Sequence, residues 1–206
     1  AATTVNGILI PAGDGTVTIA NNLIGNLTAS AATGANAING INITSTDNSS
    51  TIRVYYNTVY INNTTSGAGF GSSALSTYAD TTADQVTLDL RNNILVNTSV
   101  PNGAGRTVAY RRSATTFNNF ASTSNNNDLY AGTPGASNLI FYNGTNSDQT
   151  IAAYKTRVTP RDLASFSENP PFLSTTGSSA NFLHIDTTVA TPIESGGAPI
   201  ATFTDD

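Results

Sequence analysis

The chain has no cysteine, no methionine and no tryptophan, a single histidine, and charged side chains at only 10% of its 206 positions. Each shortage removes a class of function. Without cysteine there are no disulfides, no thiolate metal ligands and no thiol nucleophile. The 8 basic residues stand against 13 acidic ones, with no basic run longer than Arg111-Arg112, so no electrostatic footprint for nucleic acid or an anionic membrane is present. No apolar stretch approaches the roughly 20 residues that span a bilayer, and no signal-peptide pattern is seen. A chain without methionine that opens on Ala1-Ala2-Thr3 is expected to be a mature secreted protein or a segment of a longer one.

What remains is dominated by short polar side chains: 33 Thr, 25 Asn and 20 Ser make up 78 of the 206 residues. Thr suits a half-buried strand and Asn a turn, so the mixture favours many short strands joined by tight corners. Their order says more. Asn22-Leu-Ile-Gly-Asn-Leu-Thr28, Asn57-Thr-Val-Tyr-Ile-Asn-Asn-Thr64, Asn93-Ile-Leu-Val-Asn-Thr98 and Asn127-Asp-Leu-Tyr-Ala-Gly-Thr133 are versions of one segment, and their leading asparagines step by 35, 36 and 34 residues. A fixed period carried by short apolar runs predicts an all-β solenoid of about five irregular coils, a parallel β-helix. The whole of 1–206 reads as one domain, with repeat coils over 1–146 and a less regular capping segment over 147–206.

Alternation assigns a core. Ile52, Val54 and Tyr56 share one side, and Val59 with Ile61 follow after a phase change at Asn57, where a left-handed asparagine would bend one strand into the next. Val86, Leu88, Leu90, Ile94 and Val96 are expected inside, with Thr87 and Asp89 outside. Residues 65–83 and 99–106, rich in Gly, Ala and Ser, read as insertions at one corner. Beyond them, Ser147 or Asp148 as N-cap and Ile151, Tyr154 and Val158 at helical spacing predict a short helix, after which Phe172, Phe182, Ile185 and 192–197 are expected to close a final coil.

Parallel β-helices also carry polysaccharide enzymes, so the acids need weighing. Glycoside hydrolysis needs two carboxylates about 5 to 9.5 Å apart. The nearest approaches are Asp80 with Asp84 and Asp128 with Asp148, and a calcium-dependent lyase would draw on Asp47, Asp89 and Asp128 with Arg53 and Arg91. Their offsets from the repeat asparagine are inconsistent, so solvated carboxylates are expected, with no catalytic residue, no metal and no cofactor. His184, between Leu183 and Ile185, is expected to face solvent or a local hydrogen bond. Arg111-Arg112 and the group Lys155, Arg157 and Arg161 fit a solubilising face, an acidic glycan or a neighbouring subunit. Phe70 and Tyr78 in the glycine-rich insertion, and Val5, Ile8 and Ile10 in the first strand, are the expected intermolecular contacts.

The run Asn57-Thr-Val-Tyr-Ile-Asn62, Asp89-Leu-Arg-Asn-Asn-Ile94 with Val96-Asn-Thr98, the segment 124–130 and residues 185–197 resemble the right-handed parallel β-helix repeats of large secreted proteins from Bacteroidetes-like bacteria. The resemblance covers most of the chain. It implies that Asn22, Asn57, Asn93 and Asn127 stack as a ladder at the corner between two parallel sheets. It also implies a non-catalytic structural role at the cell surface or outside the cell, as a stalk or an adhesin segment, and the unpaired N–H and C=O groups at each end of a parallel solenoid add a self-assembling fibre subunit. The partners expected are further copies docked end to end or neighbouring domains of a longer surface protein. The alternative is a carbohydrate-binding or polysaccharide-degrading β-helix.

Overall fold

The structure is a computed structural model that describes residues 4–11, 13, 15–45, 50–65, 67–78, 86–201 and 203. Asp47, Asp80 and Asp84 lie outside the described residues. Coil one consists of β1 (Val5–Ile10), β2 (Thr16–Ala20) and β3 (Leu23–Ile24), and coil two of β4 (Ile38–Ile43), β5 (Thr51–Tyr55) and β6 (Thr58–Ile61). Coil three holds β7 (Ser72–Thr77), β8 (Thr87–Arg91) and β9 (Ile94–Asn97), and coil four β10 (Thr107–Arg112) and β11 (Asp128–Tyr130). A further strand, β12 (Asn138–Tyr142), opens another turn, on which β13 (Ser147–Asp148) folds back.

Equivalent strands stack in parallel. The long sheet runs β1-β4-β7-β10-β12 with β13 antiparallel at its edge, beside a three-stranded sheet β2-β5-β8 and a four-stranded sheet β11-β9-β6-β3. The fold is a parallel β-solenoid of about four turns, one fewer than the sequence period predicts. The described residues after 146 build no complete further coil; only Phe166 continues a stack, pairing in parallel with Asp128 beyond β11.

Register explains the packing. Ile8, Ile41, Leu75, Tyr110 and Phe141 occupy one column of the long sheet, and all but Ile8 are fully buried. Beside it small residues alternate inward: a Cβ on Gly40 would lie 2.2 Å from the Val59 side chain, so the missing side chain is what lets the long sheet approach β6.

At the corner between the other two sheets, Asn21, Tyr56, Asn92 and Asn126 are left-handed, with φ between 54° and 60°. The turn is therefore made one residue ahead of each repeat asparagine, and Tyr56, expected inside with Ile52 and Val54, makes it in coil two and stands half-exposed outside. A second correction concerns β9. Register pairs Val59 with Leu95 and Ile61 with Asn97, so these point inward and Ile94 and Val96 point out. The run Ile94-Leu-Val96 is apolar throughout and hides its own phase.

The carboxy-terminal part departs most from expectation. Helix α1 (Ile151–Val158) is capped by Thr150, whose hydroxyl accepts from the Ala153 N–H at 3.3 Å, in place of Ser147 or Asp148. Tyr154 and Val158 close the core over the rings of Tyr110 and Phe141. The chain then runs back down the outside of the four-stranded sheet as a strap. Beyond a parallel bridge from Phe166 to Asp128 at the end of that sheet, Phe172 packs on Tyr60 at 5.7 Å and the Phe182 ring lies against Gly25 of coil one. Residues 172–174 pair with 182–185, the strap returns past the short helix α2 (Ile193–Gly196), and Phe203 stacks on Tyr56. So Phe172, Phe182 and 192–197 brace the side of the solenoid; they close no coil. Among the described residues no helix is long and apolar enough to cross a membrane.

Candidate functional site

The asparagines form a continuous, polar ladder. Asn22 Nδ2 donates to Asn57 Oδ1 at 2.8 Å, Asn57 to Asn93 at 3.1 Å, and Asn93 to Asn127 at 2.9 Å. Each Oδ1 so reached also accepts the backbone N–H of the asparagine one coil earlier, at 3.0 to 3.2 Å. The second Nδ2 hydrogen of Asn57, Asn93 and Asn127 goes to the carbonyl of Ile19, Val54 and Leu90 in the preceding coil. Buried side chains thus meet every donor and acceptor, which a solenoid corner requires.

The ladder ends on a residue that sequence reasoning missed. Asn127 Nδ2 donates to Asp162 Oδ1 at 2.8 Å, Ser165 Oγ reaches the same oxygen at 2.6 Å, and Tyr154 Oη donates to Oδ2 at 2.6 Å. Asp162 is 35 residues beyond Asn127, the step that separates Asn22 from Asn57, so the period continued into the chain but changed residue type. Burial pushes the Asp162 carboxyl above its ordinary range, against the pull of its three hydrogen-bond donors. An acid accepts without passing a donor on, and it terminates the ladder.

The other candidate acids are held apart and occupied. Asp89, on the outer face of β8, takes Arg91 at 2.6 Å, Tyr55 Oη at 2.7 Å and Thr123 Oγ1 at 3.1 Å. Burial alone would raise it, and these donors hold it below the usual carboxylate range. Asp148 pairs with Arg157 at 2.5 Å. Asp128 lies under the strap, where one oxygen accepts the Glu168 N–H at 2.8 Å and the other has no partner. Burial pushes the Asp128 carboxyl well up, and the neighbouring Glu168 charge adds to it. Among the described residues no three metal-ligating side chains converge. His184 is exposed on the strap.

Arg112, Lys155 and Arg161 belong to the closed end. Arg112 is buried, donating to Tyr110 Oη, Thr116 O and Asn119 Oδ1; Arg161 caps the carbonyls of Phe117 and Phe120; Lys155 donates to Ser165 O. Phe70, expected exposed, is fully buried in the core, while Tyr78 is 43% exposed.

One surface carries two cations with no carboxylate partner among the described residues. On the outside of the long sheet a trough of about 350 Å³ is lined by Asn42, Ser76, Tyr78, Arg111, Tyr142 and neighbours. Arg111 lies across it, donating to Ser73 Oγ at 2.8 Å and Ala35 O at 3.2 Å. Its guanidinium and that of Arg106 sit 5.0 and 4.5 Å from the Tyr142 ring, and no carboxylate pairs with either among the described residues. Burial lowers Arg111 to about 10, so it stays charged at neutral pH.

The class these features define is a parallel β-solenoid with a polar asparagine ladder, closed at its carboxy-terminal end. Comparison with protein-family models, with curated proteins and with solved structures finds no match for the chain.

Proposed function

We propose that the chain is a non-catalytic structural module, a stalk or adhesin segment of a secreted or cell-surface protein. The observation that supports this most is the fate of its acids. Asp89, Asp148 and Asp162 are each tied by short hydrogen bonds to side chains of the fold itself, an arrangement that builds corners and ends. The low charge, the lack of cysteine and the resemblance of the repeats to β-helices of large secreted bacterial proteins support the extracellular setting. Head-to-tail fibre growth needs two open ends, and α1 covers one of them. Incubating the purified chain with acidic and neutral polysaccharides is expected to give no turnover; reproducible turnover abolished by Asp89→Asn would overturn the assignment.

A second reading, glycan binding without turnover, rests on Arg111 and Tyr142, which offer a cation and a ring edge in one trough. Uronate oligosaccharides should then bind in calorimetry and lose affinity on Arg111→Gln.

A further inference from the structure

The amino-terminal end of the solenoid is unfinished in three independent ways. Strands β1, β2 and β3 are each last in their sheet and pair only toward coil two, so each leaves one backbone edge without a partner among the described residues. Val5, Ile8, Ile10 and Val17 are only partly buried, although their register partners Ile38, Ile41, Ile43 and Ile52 are at most 2% exposed. The interior columns therefore reach coil one intact and stop uncovered. Third, Asn22 Oδ1 accepts no hydrogen bond among the described residues, whereas Asn57, Asn93 and Asn127 each take two N–H groups from the asparagine one coil earlier.

The ladder's direction selects the occupant. The amino-terminal end shows an acceptor at this corner and wants donors. A second copy turned end for end would bring its own Asn22 acceptor, and a copy stacked head to tail would bring Asp162, α1 and β13, which are closed. We propose that this end docks a further parallel β-solenoid coil of the same strand direction, carrying asparagine at its corner, so that the ladder and the three sheets continue into a neighbouring repeat segment. This rests on the structural reading above and names its partner. Backbone pairing along three edges supplies adhesion with little demand on sequence, and the asparagine sets the register.

The test adds such a coil. A second copy of residues 38–71 replaces residues 1–4 directly ahead of Val5, placing the join where the register sets Ser72 in coil three. Amide exchange of β1, β2 and β3 should slow about tenfold or more, and melting temperature should rise. Asn57→Leu in the added copy alone should remove the protection nearest Asn22. An added coil that is proteolysed, or that leaves β1 to β3 exchanging as in the parent chain, overturns the proposal. So does a parent chain that light scattering shows to be dimeric with β1 to β3 already protected, since a second copy would then be the occupant. Polysaccharide turnover would sink the non-catalytic reading and leave this result standing.

Discussion

Ile8 and Phe141 stand in the same column of the long sheet, yet their surroundings have little in common. Phe141 is fully buried among Tyr110, Phe117 and Tyr154, with ring centroids 5.4 to 5.9 Å away. Ile8 is aliphatic and partly covered. At this end Arg112, Arg161 and Lys155 donate to the carbonyls of Thr116, Phe120 and Ser165, and the last amide of the ladder lands on Asp162. In a stack where each coil touches only its neighbours, coil four has coil three and a cap, while coil one has coil two alone. Closing this solenoid takes a cluster of packed aromatic rings, buried cations and a buried acid, where the inward columns of the first two coils are aliphatic.

Asp162→Ala tests the closed end most severely. Asn127, Ser165 and Tyr154 lose a shared buried acceptor, so urea denaturation should show a loss on the order of 3 to 5 kcal/mol. Asn22→Ala removes a rung at the other end, where water can replace it, and should cost under about 1 kcal/mol; equal losses would break the contrast. Within the shared column, Leu75→Ala should cost about 2 to 5 kcal/mol and Ile8→Ala at most about half as much. Matching values would mean coil one is as well covered as coil three.

The smallest expected difference is electrostatic. The Asp128 carboxyl is raised by burial, so the folded state favours its protonated form. Its contribution to stability is complete below about pH 4, the ordinary carboxylate range, and is lost as pH rises through the higher folded value. This contribution lowers melting temperature from acid toward neutral pH, against the opposite contribution of Asp89, so Asp128→Asn should remove that part of the slope and raise the value at pH 8 by a few degrees. The described residues of coil one carry no ionisable side chain, so their exchange protection should not follow the slope.

What was legible in the sequence is what repeats. The asparagine period gives the stacking, and alternation gives Ile52, Val54, Leu88 and Leu90 correctly because polar residues separate them. Phe70 misleads for a physical reason. Its glycine neighbours read as an insertion at a corner, yet a Cβ on Gly71 would lie 2.4 Å from the Ala35 carbonyl and one on Gly105 1.7 Å from the Phe70 carbonyl. Those glycines mark backbones of adjacent coils in close approach, and the phenylalanine between them points into the core. The strap was illegible because its contacts, Phe182 to Gly25 or Ala198 to Asn92, join segments with no shared period. Asp162 could be found only by trusting the 35-residue step over the residue type.

The strap also changes how the molecule would bear a load. A stack of coils held only to their neighbours can be drawn out one coil at a time, each yielding at its own small force. Here Asn126 holds Gly196, Asn92 holds Ala198 from both its N–H and its carbonyl, Tyr56 stacks on Phe203, and Phe182 presses on Gly25. These fastenings lie side by side along the axis and must shear together before a single coil can peel. Tension applied along the axis would therefore meet a stiff batten riveted across the coils, and the solenoid should break late and all at once.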